Sequence, residues 1–225
     1  MIDDTPMLGL WKRTLHYDLQ WVLSALRENR PRKTDFPSWS WLSREAPVQL
    51  RFSQFIKQPD GNLTVEIVVG KWDIVWLAEP FTSAVGSVNL TINGPVVETF
   101  IKLTSGPRDT SLTWVEMALH PPSSLRPFSP RSFSLRCCSR REVLVPAVCA
   151  FDDQDPKAYV QQTCLLLYTV IGEDKRLEAF LILVKSPQKD DCHTSYSRVG
   201  TGCMETKTTE CGLFDGAPRL VLKLI

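Results

Sequence analysis

Thr163-Cys164-Leu165-Leu166-Leu167-Tyr168-Thr169-Val170-Ile171, then Gly172-Glu173-Asp174-Lys175, then Glu178-Ala179-Phe180-Leu181-Ile182-Leu183-Val184-Lys185 is the stretch that decides the fold. The first run is almost wholly apolar, which suits a strand buried on both faces. A polar turn follows, and the second run returns beside the first as its antiparallel partner. Working outward, Leu63, Val65, Ile67 and Val69 alternate with Thr64, Glu66 and Val68, and Val88, Leu90 and Ile92 alternate with Asn89 and Thr91. Period two places such residues on one face of a strand. Asn93-Gly94 then reads as a hairpin turn into Val97, Thr99, Ile101 and Leu103, although Pro95 sits badly in it. Arg219 to Ile225 is expected to close the sheet. Together these segments predict about eight to ten strands in a mainly β protein, an antiparallel β-sandwich or partly open barrel.

The N-terminal part has a different period. Leu15, Leu19, Val22, Leu23 and Leu26 follow helical spacing, and Pro31 stops the helix. The fold class is therefore α+β at the N-terminus, with one or two short helices. Beyond it, Pro37-Ser38-Trp39-Ser40-Trp41-Leu42-Ser43 is expected to run extended, with Trp39 and Trp41 on one face as an anchor between elements. Residues 1–47 are read as this helical segment and anchor packed on the sheet. Residues 48–225 are read as the β-rich domain, with long loops at about 120–141 and 186–209.

Composition narrows the classes. The 225 residues carry 26 basic against 25 acidic side chains, with 43% hydrophobic content. That balance excludes wholesale disorder and gives no global pull toward nucleic acid or anionic membrane. Met1-Ile2-Asp3-Asp4-Thr5 lacks the apolar core of a signal peptide. No apolar run approaches the ~20 residues needed to span a bilayer. Seven cysteines, among them the adjacent Cys137-Cys138, match no metal spacing, so reduced thiols in a cytoplasmic protein are expected. No cofactor and no metal are expected.

Gly9-Leu10-Trp11, Asp18-Leu19-Gln20-Trp21, Arg30-Pro31 and Pro37-Ser38-Trp39-Ser40-Trp41-Leu42-Ser43 resemble the region that follows the heterokaryon-incompatibility (HET) domain in proteins of filamentous fungi. That region typically reads Ala-Gly-Leu-Trp, a short helix ending near Leu-Leu-Trp, and then Arg-Pro-x-x-Tyr-Arg-Ala-Pro-Ser-Trp-Ser-Trp-Ala-Ser. The spacing is kept, while Leu8, Thr34, Asp35, Phe36 and Leu42 depart from the pattern, and Arg44-Glu45-Ala46-Pro47 stands where Val-Asp-Gly-Pro is usual. Weaker likenesses run in the expected order: Asp152 or Asp153 ahead of the leucine-rich run, and Tyr196-Ser197-Arg198-Val199-Gly200 for a closing strand. The HET domain proper is not within these residues.

The resemblance implies a non-enzymatic accessory region, linked to fungal non-self recognition and cell death, whose partner is a HET domain in cis or trans. Trp11, Trp39 and Trp41 are then expected on the face that this domain covers. The loop from His120 to Arg141 supplies a second candidate contact surface: Arg126, Arg131, Arg136, Arg140 and Arg141, with Phe128 and Phe133 between them and no acidic residue. Guanidinium forks suit phosphate or carboxylate groups on a protein partner. Neither nucleic acid nor membrane is expected as a partner.

Other constellations are weaker. Cys192 and His193 are adjacent, so on an extended chain they point apart and cannot form a thiolate–imidazolium pair; a dyad would need His16 or His120. Asp152-Asp153-Gln154-Asp155 lacks the glycine and distal glutamate of a calcium loop, and no helix pattern follows Gly200-Thr201-Gly202. Trp72 and Trp76 share a face of a strand, as in sugar-stacking modules. The alternative to an interaction region is thus a small-molecule or carbohydrate-binding β-sandwich using Trp72, Trp76 or Trp114.

Overall fold

The computed structural model describes residues 4–23, 32–33, 35–49, 60–79, 85–103, 113–118, 144–152, 160–186 and 194–225. Its N-terminal part holds β1 (Pro6–Met7), β2 (Leu10–Trp11), α1 (Leu15–Asp18), β3 (Val22–Leu23), a 3-10 turn at Trp41–Ser43 and β4 (Val48–Gln49). Then come β5 (Gly61–Val65), β6 (Val68–Trp76), β7 (Val85–Leu103), β8 (Thr113–Ala118) and β9 (Leu144–Phe151). The chain continues with β10 (Val160–Gly172), β11 (Lys175–Lys185), β12 (Ser195–Lys207) and β13 (Arg219–Leu224). The fold is mainly antiparallel β, as expected.

β10 and β11 form the anticipated hairpin, Thr163 opposite Leu183 and Ile171 opposite Arg176. Its two apolar faces serve two cores. Cys164 and Leu166 of β10, with Phe180 and Ile182 of β11, point into a ring of strands paired in the order β7–β8–β9–β12–β11–β10 and back to β7. Leu165 and Leu167, with Leu181 and Leu183, face the other way, into a second core. There they meet Leu90 and Ile92 of β7, Leu222 of β13, and Met7, Leu10, Leu15, Trp21 and Trp39 from the N-terminal part. Each such side chain fully buried contributes about 1.5–3 kcal/mol. Residues on both sides of position 47 share that core.

Four expectations need correction. Asn93-Gly94 is not a hairpin turn, because β7 runs straight through it. A two-residue hairpin loop needs positive φ, and Gly94 has none. The glycine instead lets strands crowd together: a β-carbon there would lie 2.9 Å from Leu165 Cδ1 and 3.1 Å from Ile67 Cγ2. Before it β7 pairs with β6 and β13, and after it with β10 and β8.

Residues 195–207 are β12 rather than part of a loop. Their serines, threonines and glycines read as polar linker, yet most are buried, and a β-carbon at Gly202 would meet Cys149 Sγ and the Phe180 ring at 2.7 Å. Small residues are what this packed position requires. The N-terminal helix is only one turn, and Val22 and Leu23 form β3 against β4. Leu15, Leu19 and Val22 are buried as the helical spacing implied, but by tertiary packing of an irregular segment. Trp39 and Trp41 do not share a strand either, since Ser38 and Trp39 lie in a turn and Trp41 opens the 3-10 turn.

One buried carboxylate fixes the turn before β13. Glu178 Oε2 accepts from Leu213 N at 2.8 Å, and Oε1 lies 2.6 Å from Arg176 Nη2, whose Nη1 reaches Asp215 at 2.6 Å. Burial raises the Glu178 pKa, more than Arg176 and the Leu213 amide lower it. The native state therefore prefers the protonated acid, and its contribution to stability falls as pH rises from the unfolded value toward the folded one. Glu178→Gln, which mimics the protonated form, is expected to gain on the wild type as pH rises above about 4.3. Urea melts of both proteins across that range check this; parallel pH profiles would contradict it.

Candidate functional site

Segments far apart in sequence meet around Trp21 and Trp39, both essentially inaccessible to solvent. The approach begins at β1 and β2, joined by the loop residues Leu8 (φ 49°) and Gly9 (φ 86°). Positive φ at both is the type I′ requirement, an ordinary state for glycine and a strained one for leucine. Gly9 is also the only residue type that fits, because a β-carbon would stand 2.6 Å from Trp41 Nε1. The Trp41 indole donates to Gly9 O at 2.9 Å, and Ser40 Oγ donates to Leu8 O at 2.7 Å. Asp18 ties α1 to this hairpin, accepting from Trp11 N at 2.9 Å. Buried Tyr168 of β10 donates to Gln20 Oε1 at 2.8 Å.

The centre is ionic. Trp21 Nε1 donates to Trp39 O at 2.8 Å, and Arg198 of β12 stacks its guanidinium 3.5 Å above the Trp21 ring. Arg198 Nη2 donates to Trp21 O at 2.6 Å and lies 3.3 Å from Asp152 Oδ1, with both side chains buried. Backbone groups complete it: Arg198 N donates to Ser38 Oγ at 2.9 Å, Asp152 N to Val199 O at 2.9 Å and Ser38 N to Ile225 O at 3.0 Å. Ser38 Oγ donates to Ile225 O as well. Burial pulls the Arg198 pKa down to about 10; Asp152 opposes this, while Arg32 and Arg44 add to it. The guanidinium thus stays charged at neutral pH. An arginine so far from water is tolerated through its carboxylate, its carbonyl and the aromatic face. These contacts lock the N-terminal segment onto β12.

The candidate interaction residues fare differently. Trp39 is 1% exposed and belongs to the core, which removes it from any surface. Trp41 is half-buried against Gly9, and Trp11 is 41% exposed. Arg126, Arg131, Arg136, Arg140 and Arg141 lie outside the described residues, as do Cys192, His193, Asp153 and Asp155. Arg198 and Trp21 were quoted for the resemblance but not singled out as a site. The available signal was an arginine set among the small and uncharged residues of 195–204.

Comparison with protein-family models, curated proteins and solved structures finds no match for this chain.

Chemistry must therefore be argued from the side chains. Cys149, Cys164 and Cys203 are free thiols. Burial pushes the Cys149 and Cys164 thiols well up and that of Cys203 to about 12, so none of these three supplies a thiolate at neutral pH. Among the described residues no cluster of three or more His, Cys, Asp or Glu can hold a metal ion. No helix among them is long and apolar enough to cross a membrane.

Two hollows open on the surface. One, of about 600 Å³, runs along Trp72 to Trp76 of β6 and is also lined by Thr5, Pro6 and Asn89. It brings together the two tryptophans that share a strand face, while the Trp114 side chain lies outside the described residues. The other, of about 310 Å³, mixes Arg32 and Lys33 with Asp35, Ser38 and Ser197. Its charges offset one another, since Lys33 also pairs with Glu45 at 3.2 Å.

Proposed function

We propose that this chain is a non-enzymatic accessory region of a HET-type incompatibility protein, acting by protein contact in non-self recognition and cell death in the cytoplasm. The lock carries the reading. Gly9, Trp21, Ser38 to Trp41, Arg198 and one of the pair Asp152 or Asp153 all lie in segments quoted for the resemblance, and Gly9, Trp21, Ser38 to Trp41, Asp152 and Arg198 form one continuous chain of contacts. Chance matches scattered along a sequence have no reason to converge. That supports a motif whose first duty is to weld the N-terminal segment to the barrel. Trp11 is the motif tryptophan most exposed, and it is the anchor that a HET domain, in cis or in trans, would cover.

Trp11→Ala is expected to weaken binding of a HET domain, taken from a protein with the same motif, by about tenfold or more, or about 1.4 kcal/mol. Titration calorimetry measures this. Unchanged affinity, or no binding by the wild type, sinks the reading.

A second reading, a small-molecule or carbohydrate-binding module, is favoured by the groove at Trp72 and Trp76. Its indoles would stack on a sugar ring. A panel of oligosaccharides should then alter tryptophan fluorescence, and Trp76→Ala should abolish the response. No response across the panel removes this reading.

A further inference from the structure

The face of β11 that lines the ring of strands changes character toward its mouth. Ile182 and Phe180 lie inside, while Glu178 and Arg176, two and four residues before Phe180, continue that face as a rim. Thr169 of β10 stands opposite Glu178, and Thr206 of β12 opposite Arg176, so the rim is polar across three strands. The chain between β12 and β13 closes this mouth. Leu213 and Phe214 are buried and join the interior cluster, with the Phe214 and Phe180 rings 5.9 Å apart.

These two residues sit in a small unit of their own. Gly212 N donates to Asp215 Oδ2 at 2.8 Å, and Ala217 N to Phe214 O at 3.0 Å. Gly212 and Gly216 (φ 73°) bracket it, with the backbone freedom that suits a hinge. Leu213 N on Glu178 and Asp215 on Arg176 latch the unit to the rim.

We propose that residues 212–216 are a hinged plug, and that the ring interior behind it is a binding site for a small uncharged aromatic molecule. The lining sets the ligand's chemistry. Behind the plug stand Met117, Cys149, Cys164, Leu166 and Met204, which offer no partner to an ion. Thioether sulfurs favour aromatic rings, and methionine adapts to their outline. The Phe214 ring, held near Phe180, marks where such a ligand would sit. An apolar void of about 150 Å³ stays dry and takes benzene, and withdrawing a leucine and a phenylalanine side chain together vacates a space of that order. The inference is independent of the HET-type reading.

Titration calorimetry of the full chain with indole, an uncharged aromatic probe, tests it. The wild type is expected to take one indole, with an affinity lowered by the small fraction of open plug. Asp215→Asn keeps an acceptor for Gly212 N but removes the charge pair with Arg176. It should open the plug more often and bind indole about two- to fivefold tighter. The Asp215 side chain is 43% exposed, so the fold should survive the change, and thermal melts check that. Indole should also slow the reaction of Cys149 and Cys164 with an uncharged thiol reagent, read by peptide mass spectrometry, because both sulfurs lie behind the plug. No indole bound by either protein, equal affinity in both, or labelling of these two cysteines that indole leaves unchanged each overturns the inference.

Discussion

Arg198→Ala is expected to cost about 3–5 kcal/mol of stability, because it removes one partner of a buried ion pair. Small domains hold only about 5–15 kcal/mol in total, so the variant would melt about 6–20 °C lower or fail to accumulate. The size follows from the geometry. Arg198 is inaccessible to solvent, and its removal deletes the ion pair to Asp152, the bond to Trp21 O and the stack on the Trp21 ring. Part of the loss is the cost of a buried Asp152 that no longer faces Arg198. Replacing both partners, as in R198M/D152N, should therefore cost less than R198A alone. Urea denaturation of the two variants decides: a double variant worse than R198A would mean that the charge pair is not the main term.

Trp39→Ala should rival it, at about 3–5 kcal/mol, the range for emptying a large aromatic site in a core. Trp39 packs with Leu10, Leu15, Trp21 and Leu222 in the core shared by the N-terminal segment and the sheets. The loss is expected to be mostly volume, because Trp39 Nε1 has no hydrogen-bond partner among the described residues. Trp39→Phe removes that orphaned donor, whose burial costs about 1–3 kcal/mol, and keeps most of the ring packing. It should therefore lose less than half as much as the alanine variant. Equal losses would mean that the indole N–H is satisfied and matters.

How much of this was legible depended on whether a residue's environment was written locally. The hairpin of β10 and β11 was readable because both faces of β10 are apolar and a short polar turn joins the strands. The closing strand β13 was readable for a similar reason. β12 was not: beside Tyr196, Cys203 and Met204 its buried positions hold Ser195, Arg198, Gly200, Thr201, Gly202 and Thr206, residue types that signal a loop unless their packing partners are known. The one-turn α1 was overextended because Leu15, Leu19 and Val22 keep helical spacing for a segment that then turns into β3. For the tryptophan cluster, sequence found the residues but not their depth. Bulky aromatics suit a docking face and a core equally well, and only Arg198, about 160 positions beyond Ser38, decides for the core. The β1–β2 hairpin gave no signal at all, since leucine at positive φ is not a turn former.

The continuity of β7 through Gly94 has a kinetic consequence. One half of the strand belongs to the ring of strands and the other to the sheet carrying β6 and β13, so neither sheet can be completed without it. Its partners, however, are spread from residue 68 to residue 224. Loop closures that long slow folding, and they leave strand edges exposed while the later partners are still being made. A nascent chain emerging from the ribosome would therefore carry β7 unpaired on its β10 and β13 sides until most of the protein has been synthesised. Those two unpaired sides of β7 are where association with other nascent chains would begin.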